Sequence, residues 1–417
     1  MTHRAGQLAS TVTGCQRSPR RFGGPRDAVR IFICGTGQLC GADQRALAQF
    51  SGVGVDYGHR RPSEQFGGTR MRSKDPIRLR DTVYVVGAGF SAGLGYPLTK
   101  SLLIDVWSRL NKDSRNQLHR IIKFHHPGFT TKRKTTFPDI EQLLTEIAVN
   151  LDLFYASRPA EGTFTKKRLE ESREELLSDI AGWFHEIYEG ARDTPWLSSI
   201  VERIRRENAA IVSFNWDLVL DQMLFEKDLG PECYGLSKEL SAGPVLLKPH
   251  GSLNWYEATQ IRKVAAEKRV EIFPHKEDSE RIEAFLRPRE IKSKAGRRYT
   301  PLIVPPTYLK DFSRPVFRRL WNRCTDVLST PKTLVFLGYS LPAADLHAQY
   351  IFRCGFHNQI EGRLKKDGTR YPATGPAKGV IVNPDQDSAR RIEAVAGPNI
   401  PCSWIPRRIE DWLDDDQ

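Results

Sequence analysis

The chain has 417 residues, 39% of them hydrophobic, and 63 Lys and Arg against 50 Asp and Glu give a formal charge of +13. That length suffices for two domains or one large α/β domain with insertions, and the ordinary composition excludes a fibrous or low-complexity protein. No run of about 18 apolar residues occurs, which excludes a membrane-spanning helix.

The surplus of positive charge attracts polyanions, either nucleic acid or an anionic nucleotide. The basic residues are spread over several segments without a nucleic-acid-binding motif, which favours the nucleotide and leaves nucleic acid open. Seven cysteines (Cys15, Cys34, Cys40, Cys233, Cys324, Cys354 and Cys402) form no C-x-x-C pair. This argues against a disulfide framework and a zinc ribbon, so reduced, mostly buried thiols are expected. The N-terminus has arginines but no continuous apolar stretch before a small-residue cleavage site, and a cytoplasmic protein is expected.

Residues 1–70 carry ten Arg, no Lys and four acids, and only Arg30 to Cys34 could pair as a strand. Such a segment buries too little apolar surface to offset its ordering entropy. A disordered extension is therefore expected over 1–75, with Met71 as the authentic start and a folded domain over 76–417. Val83-Tyr84-Val85-Val86 then reads as a buried strand running into Gly87-Ala88-Gly89-Phe90-Ser91 and on through Gly93 and Gly95 to Pro97. This order fits a phosphate-binding β-turn-α unit, in which glycines admit a pyrophosphate and helix N–H groups face it. A tight turn with close strand–helix packing is the alternative.

From Leu98 to about Asn208 apolar residues recur at helical spacing, giving a helical insertion over 98–208 or helices on one side of a sheet. Ala209 to Ser213 is an apolar strand delivering Asn215 and Asp217, which either face a ligand or cap the following helix. Pro244 to Leu247 leads into Lys248-Pro249-His250-Gly251, where the histidine is better placed for a pocket than for a core. Residues 257–300 read as a helical or mobile basic insertion. A helix around Val316 to Leu328 precedes the strand Thr333 to Leu337, which ends in Gly338-Tyr339-Ser340, with Asp345 and His347 just beyond. A last strand, Gly379 to Val382, delivers Asn383-Pro384-Asp385, and a short helix with Trp412 closes the chain. The fold class is therefore α/β, a Rossmann-like parallel sheet with helices on both faces and its polar clusters along one edge.

Taken together, these clusters resemble the sirtuin family, and within it the zinc-less bacterial branch that hydrolyses NAD. Gly87-Ala88-Gly89-Phe90-Ser91, with Gly95 and Pro97, fits the family's G-A-G-x-S-x-x-x-G-x-P loop. Ser213-Phe214-Asn215-Trp216-Asp217 takes the place of T-Q-N-I-D, with Phe214 for the Gln, and His250-Gly251 is similar to the catalytic His-Gly pair. Gly338, Ser340 and Asn383 resemble the later positions that hold the phosphates and adenosine ribose. The resemblance spans roughly Asp81 to Asp385. Two departures stand out: Leu98-Thr99-Lys100 replaces the deacylases' Asp-Phe-Arg, and residues 257–303 lack the four-cysteine zinc module.

The resemblance implies an NAD hydrolase, with NAD as substrate and no metal, acting in bacterial anti-phage defence and silent until an oligomer or activating partner engages it. His250 would be the general base, Asn215 would orient water or ribose, and Asp217 would lie near the nicotinamide amide. The N–H groups of Gly87, Ala88, Gly89 and Phe90 and the Ser91 hydroxyl would bind pyrophosphate. Gly338, Ser340 and Asn383 would hold the adenosine half. A deacylase or ADP-ribosyl transferase is the alternative, and a non-catalytic nucleotide-binding module the third reading.

Overall fold

The computed structural model describes residues 80–154, 165–225, 228–237, 242–261, 269–274, 280–285, 300–304, 312–365 and 367–415. The expectations for 1–75, for Met71 as the start and for a strand at Arg30 to Cys34 lie outside these residues, as does much of 257–300.

Six strands form one parallel sheet: β1 (Thr82–Val86), β2 (Ala210–Ser213), β3 (Val245–Leu247), β7 (Thr333–Leu337), β8 (Lys378–Val382) and β9 (Cys402–Ile405), in the spatial order β3-β2-β1-β7-β8-β9. Val83 to Val86 are buried in succession. Successive side chains on a strand face opposite ways, so both faces at β1 are covered. The chain starts in the middle of the sheet, works outward to β3, and returns to the other side of β1. This reversal opens a crevice at the carboxyl ends of β1 and β7, where such sheets place ligands.

The β1–β2 crossover carries α1 (Ala88–Ala92), α2 (Thr99–Trp107), α3 (Lys112–His125), α4 (Ile140–Val149), α5 (Lys166–Ala191) and α6 (Pro195–Glu207). Local chemistry sets their ends. Asn111 and Asp139 cap α3 and α4 by accepting from Ser114 N and Gln142 N, and α6 opens on Pro195 and closes on Asn208 in the left-handed region. Leu197, Ile200, Val201 and Ile204 of α6 join the sheet's core. The apolar faces of α2 to α5 instead build a second core, which also takes in Leu218, Leu253 and Ile303. The strand-end segments of β2 and β3 are thereby packed against the helical unit.

After β2 comes α7 (Val219–Phe225). Beyond β3, the strands β4 (Trp255–Glu257), β5 (Arg269–Pro274) and β6 (Arg281–Phe285) form a separate antiparallel sheet, with α8 (Ala258–Ile261) between β4 and β5. The described part of 257–300, read as helical or mobile, holds the short helix α8 but is mostly strand. Ile282 and Ala284 bury one face at period two, but a bulge at Glu271/Phe273 interrupts the alternation on β5. The second half holds α9 (Pro315–Leu328), α10 (Leu346–Glu361), α11 (Gln386–Ala396) and α12 (Ile409–Asp415). The strand at Gly379 to Val382 is not the last: β9 pairs with it, Val382 opposite Ile405. Among the described residues no helix is long and apolar enough to cross a membrane.

Candidate functional site

A cavity of about 160 Å³ opens at the crevice, lined among others by Ala88, Ser91, Asn215, Asp217, His250 and Ser340. A neighbouring cavity of about 690 Å³ extends toward the ends of β8 and β9, where Asn383, Arg391, Arg407 and Arg408 line it. The two share Ala88, Thr99, Glu141, Ser340 and Pro342. Together they form an elongated site with its waist at the glycine-rich turn. The helical unit contributes one wall through Thr99 and Glu141.

The turn is tighter than its sequence suggests. A Cβ on Gly87 would stand 2.6 Å from Tyr339 Cα, and one on Gly89 would stand 2.8 Å from Gly338 Cα. Gly338 itself has φ +57°. These glycines let two strand-end loops touch backbone to backbone. Gly87 N donates to Leu337 O, Gly89 N to Gly338 O, and Phe90 N to Gly87 O. Three of the four N–H groups expected to serve a pyrophosphate are therefore hydrogen-bonded inside the protein. Ala88 is the turn residue that lines both cavities.

The Ser91 hydroxyl donates to Asp217 Oδ2 at 2.6 Å and accepts from Asn215 Nδ2 at 3.1 Å, which ties these two side chains together. Asn215 Nδ2 also donates to Gly87 O at 2.9 Å. A carbonyl can only accept, so this bond fixes which way the amide faces. Both amide protons are then used, and Oδ1 is left for a water or a ligand. Asp217 Oδ1 accepts from Val219 N at 3.1 Å, which makes Asp217 a cap as well as a cavity wall. Burial pushes its carboxyl above the ordinary range, opposed by the nearby Lys248 charge and the Ser91 hydrogen bond.

His250 is 9% exposed, with its ring among Phe214, Phe312 and Trp321. Its Nε2 lies 3.5 Å from Asp345 Oδ2. Gly251 follows at φ +80° and bridges to Ile303, which a Cβ would prevent by colliding with Leu302 O. Tyr339 stacks on Phe214 at 4.6 Å between ring centres. Burial, and then the Asp345 charge, push its phenol well above its usual range.

On the far side, Ser340 lines both cavities, and its carbonyl accepts from Arg391 Nε at 2.9 Å. Asn383 lines the larger cavity, but its side chain is engaged: Nδ2 donates to Tyr339 O at 3.1 Å and Oδ1 accepts from Asp385 N at 2.9 Å. It ties the β7 and β8 loops together while lining the larger cavity. Leu341, buried in the same loop, holds φ +43°, a conformation that side chains rarely adopt.

Four groups at the site were not assigned a role from the sequence: Asp345, Glu141, Lys248 and Arg391. Asp345 had a visible signal, lying just after a strand-end Gly-Tyr-Ser, but it also reads as the cap of α10, which it is. Glu141 carried none, because it sits in the first turn of an amphipathic helix like any solvated acid.

No family model and no curated protein matches the chain. Among solved structures it is similar to a Sir2 homologue in complex with NAD, at 12% identity over 84% of this chain and 94% of that one, with a TM-score of 0.39. It is also similar to a mutant Sir2 homologue in complex with 2'-O-acetyl ADP ribose, at 12% identity, 80% and 89% coverage and a TM-score of 0.38. A third, a mutant Sir2 homologue in complex with ADP ribose, gives 13% identity, 83% and 94% coverage and a TM-score of 0.34.

Proposed function

We propose that the protein is an NAD hydrolase, cleaving the bond between nicotinamide and ribose to release nicotinamide and ADP-ribose. The observation that carries this reading is that Asn215 and His250, from the ends of different strands, line one cavity at the reversal of strand order. A second, contiguous cavity lined by arginines has room for the adenosine half.

Cleavage leaves positive charge on the ribose as the carbon–nitrogen bond breaks and its electron pair passes to the nicotinamide ring. Asn215 Oδ1 would accept from the attacking water or a ribose hydroxyl, turning its oxygen toward the anomeric carbon. Asp345 beside Nε2 favours the tautomer protonated there and leaves the lone pair on Nδ1. His250 would then take the proton that water or hydroxyl gives up as the new bond forms. Asp217 would face the nicotinamide amide. Ala88 N–H and the arginines of the larger cavity are the remaining candidates for the pyrophosphate.

Transfer to a protein acceptor is the second reading, and it requires a peptide groove beside His250. A role in anti-phage defence and activation by assembly rest on the sequence resemblance, and a cytoplasmic location on the N-terminal sequence. Mass spectrometry of the products after incubating purified protein with NAD, with and without a peptide acceptor, separates hydrolysis from transfer. Release of nicotinamide with free ADP-ribose, lost in Asn215→Ala, is the expected result. Absence of both products from the unaltered protein would leave a binding module.

A further inference from the structure

Behind the cavity wall lies a cation that the proposed chemistry does not use. Lys248 is 1% exposed and does not line the cavity. Its ammonium donates to Asp217 O at 2.6 Å, Ser252 Oγ at 2.7 Å and Asp221 Oδ2 at 2.8 Å, with Trp216 O farther off at 3.5 Å. The three near acceptors match the three protons of an ammonium. Asp221 is also buried, and its Oδ1 accepts from Tyr234 OH at 2.6 Å, whose oxygen accepts from Asn254 Nδ2 at 3.2 Å.

The three acceptors lie on three pieces of chain. Asp217 belongs to the segment leaving β2 that carries Asn215, Asp221 to the first turn of α7, and Ser252 to the loop that carries His250. Lys248 precedes His250 by two residues and Ser252 follows it by two, so the clamp closes the histidine loop on itself and onto the asparagine segment. A buried ion pair commonly does no better for stability than well-packed apolar residues of similar volume, whereas losing one partner strands the other's charge.

We infer that Lys248 is a positioning residue, whose ammonium locks the Asp217 carbonyl to the Ser252 hydroxyl and thereby holds the Asn215 amide and the His250 imidazole in register. This rests on the nucleotide-cleaving reading of the site. Misplacing reacting groups by about an ångström costs on the order of a hundredfold in rate, so the clamp acts on turnover rather than on binding.

The test uses the full chain, NAD as substrate and nicotinamide release as readout. Lys248→Met alone strands Asp221 and is expected to lose both stability and turnover. The double variant Lys248→Met with Asp221→Leu removes both charges together. Its melting temperature is expected to return to within a few degrees of the unaltered protein and its KM to stay within a fewfold, while kcat remains down by roughly tenfold to a hundredfold. Recovery of kcat along with stability overturns the inference and makes Lys248 only the partner of a buried acid. If the double variant does not fold, Ser252→Ala decides the matter, because it removes one anchor and no charge. A fall in kcat at constant KM and melting temperature supports the clamp, and unchanged kcat overturns it. Should the unaltered protein release no nicotinamide, the reading of the site fails first and the inference goes with it.

Discussion

Asp345 serves His250 and α10 with one carboxylate: Oδ2 stands 3.5 Å from the imidazole Nε2, while Oδ1 accepts from Ala348 N at 3.3 Å. The two roles can be separated. Asn caps helices about as well as Asp but carries no charge. Asp345→Asn is therefore expected to keep stability within about 0.5 kcal/mol while lowering kcat for nicotinamide release by roughly tenfold or more, with KM little changed. Asp345→Ala should lose the cap too, about 1 kcal/mol by chemical denaturation. Equal kcat in Asp345→Asn and the unaltered protein would remove the carboxylate from the mechanism.

Removing the imidazole tests the base directly. His250→Ala is expected to cut nicotinamide release by about 10²–10⁴, the usual span of general acid–base catalysis. NAD affinity, measured by calorimetry, should change only a fewfold, because the arginine-lined cavity and the glycine turn are untouched. A large loss of affinity with little loss of turnover would make His250 a binding residue instead.

The glycine turn predicts a stability series. Gly89→Ala forces a Cβ to within 2.8 Å of Gly338 Cα and should cost about 1–3 kcal/mol, since backbone cannot swing aside as a side chain can. Gly128, with no atom within 4 Å of its Cβ position and no positive φ, is the control, and Gly128→Ala should stay within about 0.5 kcal/mol. Denaturant midpoints distinguish the two. Equal midpoints would mean that the β1 and β7 loops do not touch.

Asp217 predicts a pH dependence. Its carboxyl is raised by burial, so the folded state holds the proton more tightly than the unfolded one. A raised group adds stability below the unfolded value of about 3.9, and that contribution is lost as pH rises through the folded value. Asp217→Asn keeps the shape without the charge. Its melting temperature relative to the unaltered protein should climb as pH increases from about 4. A difference that shrinks over that range would reverse the sign and contradict burial as the leading cause.

Much of this architecture is written in local pattern. Val83 to Val86, Ala210 to Val212 and Leu334 to Leu337 are continuous apolar runs because their strands are buried on both faces, and the polar groups that follow each run fall at one sheet edge for that reason alone. The helical crossover was equally plain, since an amphipathic period repeats over enough turns to be counted. The small sheet was hidden because a bulge breaks the alternation on β5 and charged residues surround β6.

What the chain alone determined, then, is where its strands and helices lie and which polar residues end beside one another at the sheet's edge. Only the tertiary structure decided how those residues are used. Ser91 turned out to serve Asp217 and Asn215, Gly87 and Gly89 to seat the β7 loop, Asn383 to tie two loops, and Lys248 and Asp345 to flank the histidine segment. Each of these depends on strand order, which brings together positions far apart in the chain. A hydrogen-bond donor has the same letter in the sequence whether it is spent on a neighbouring loop or left for a ligand.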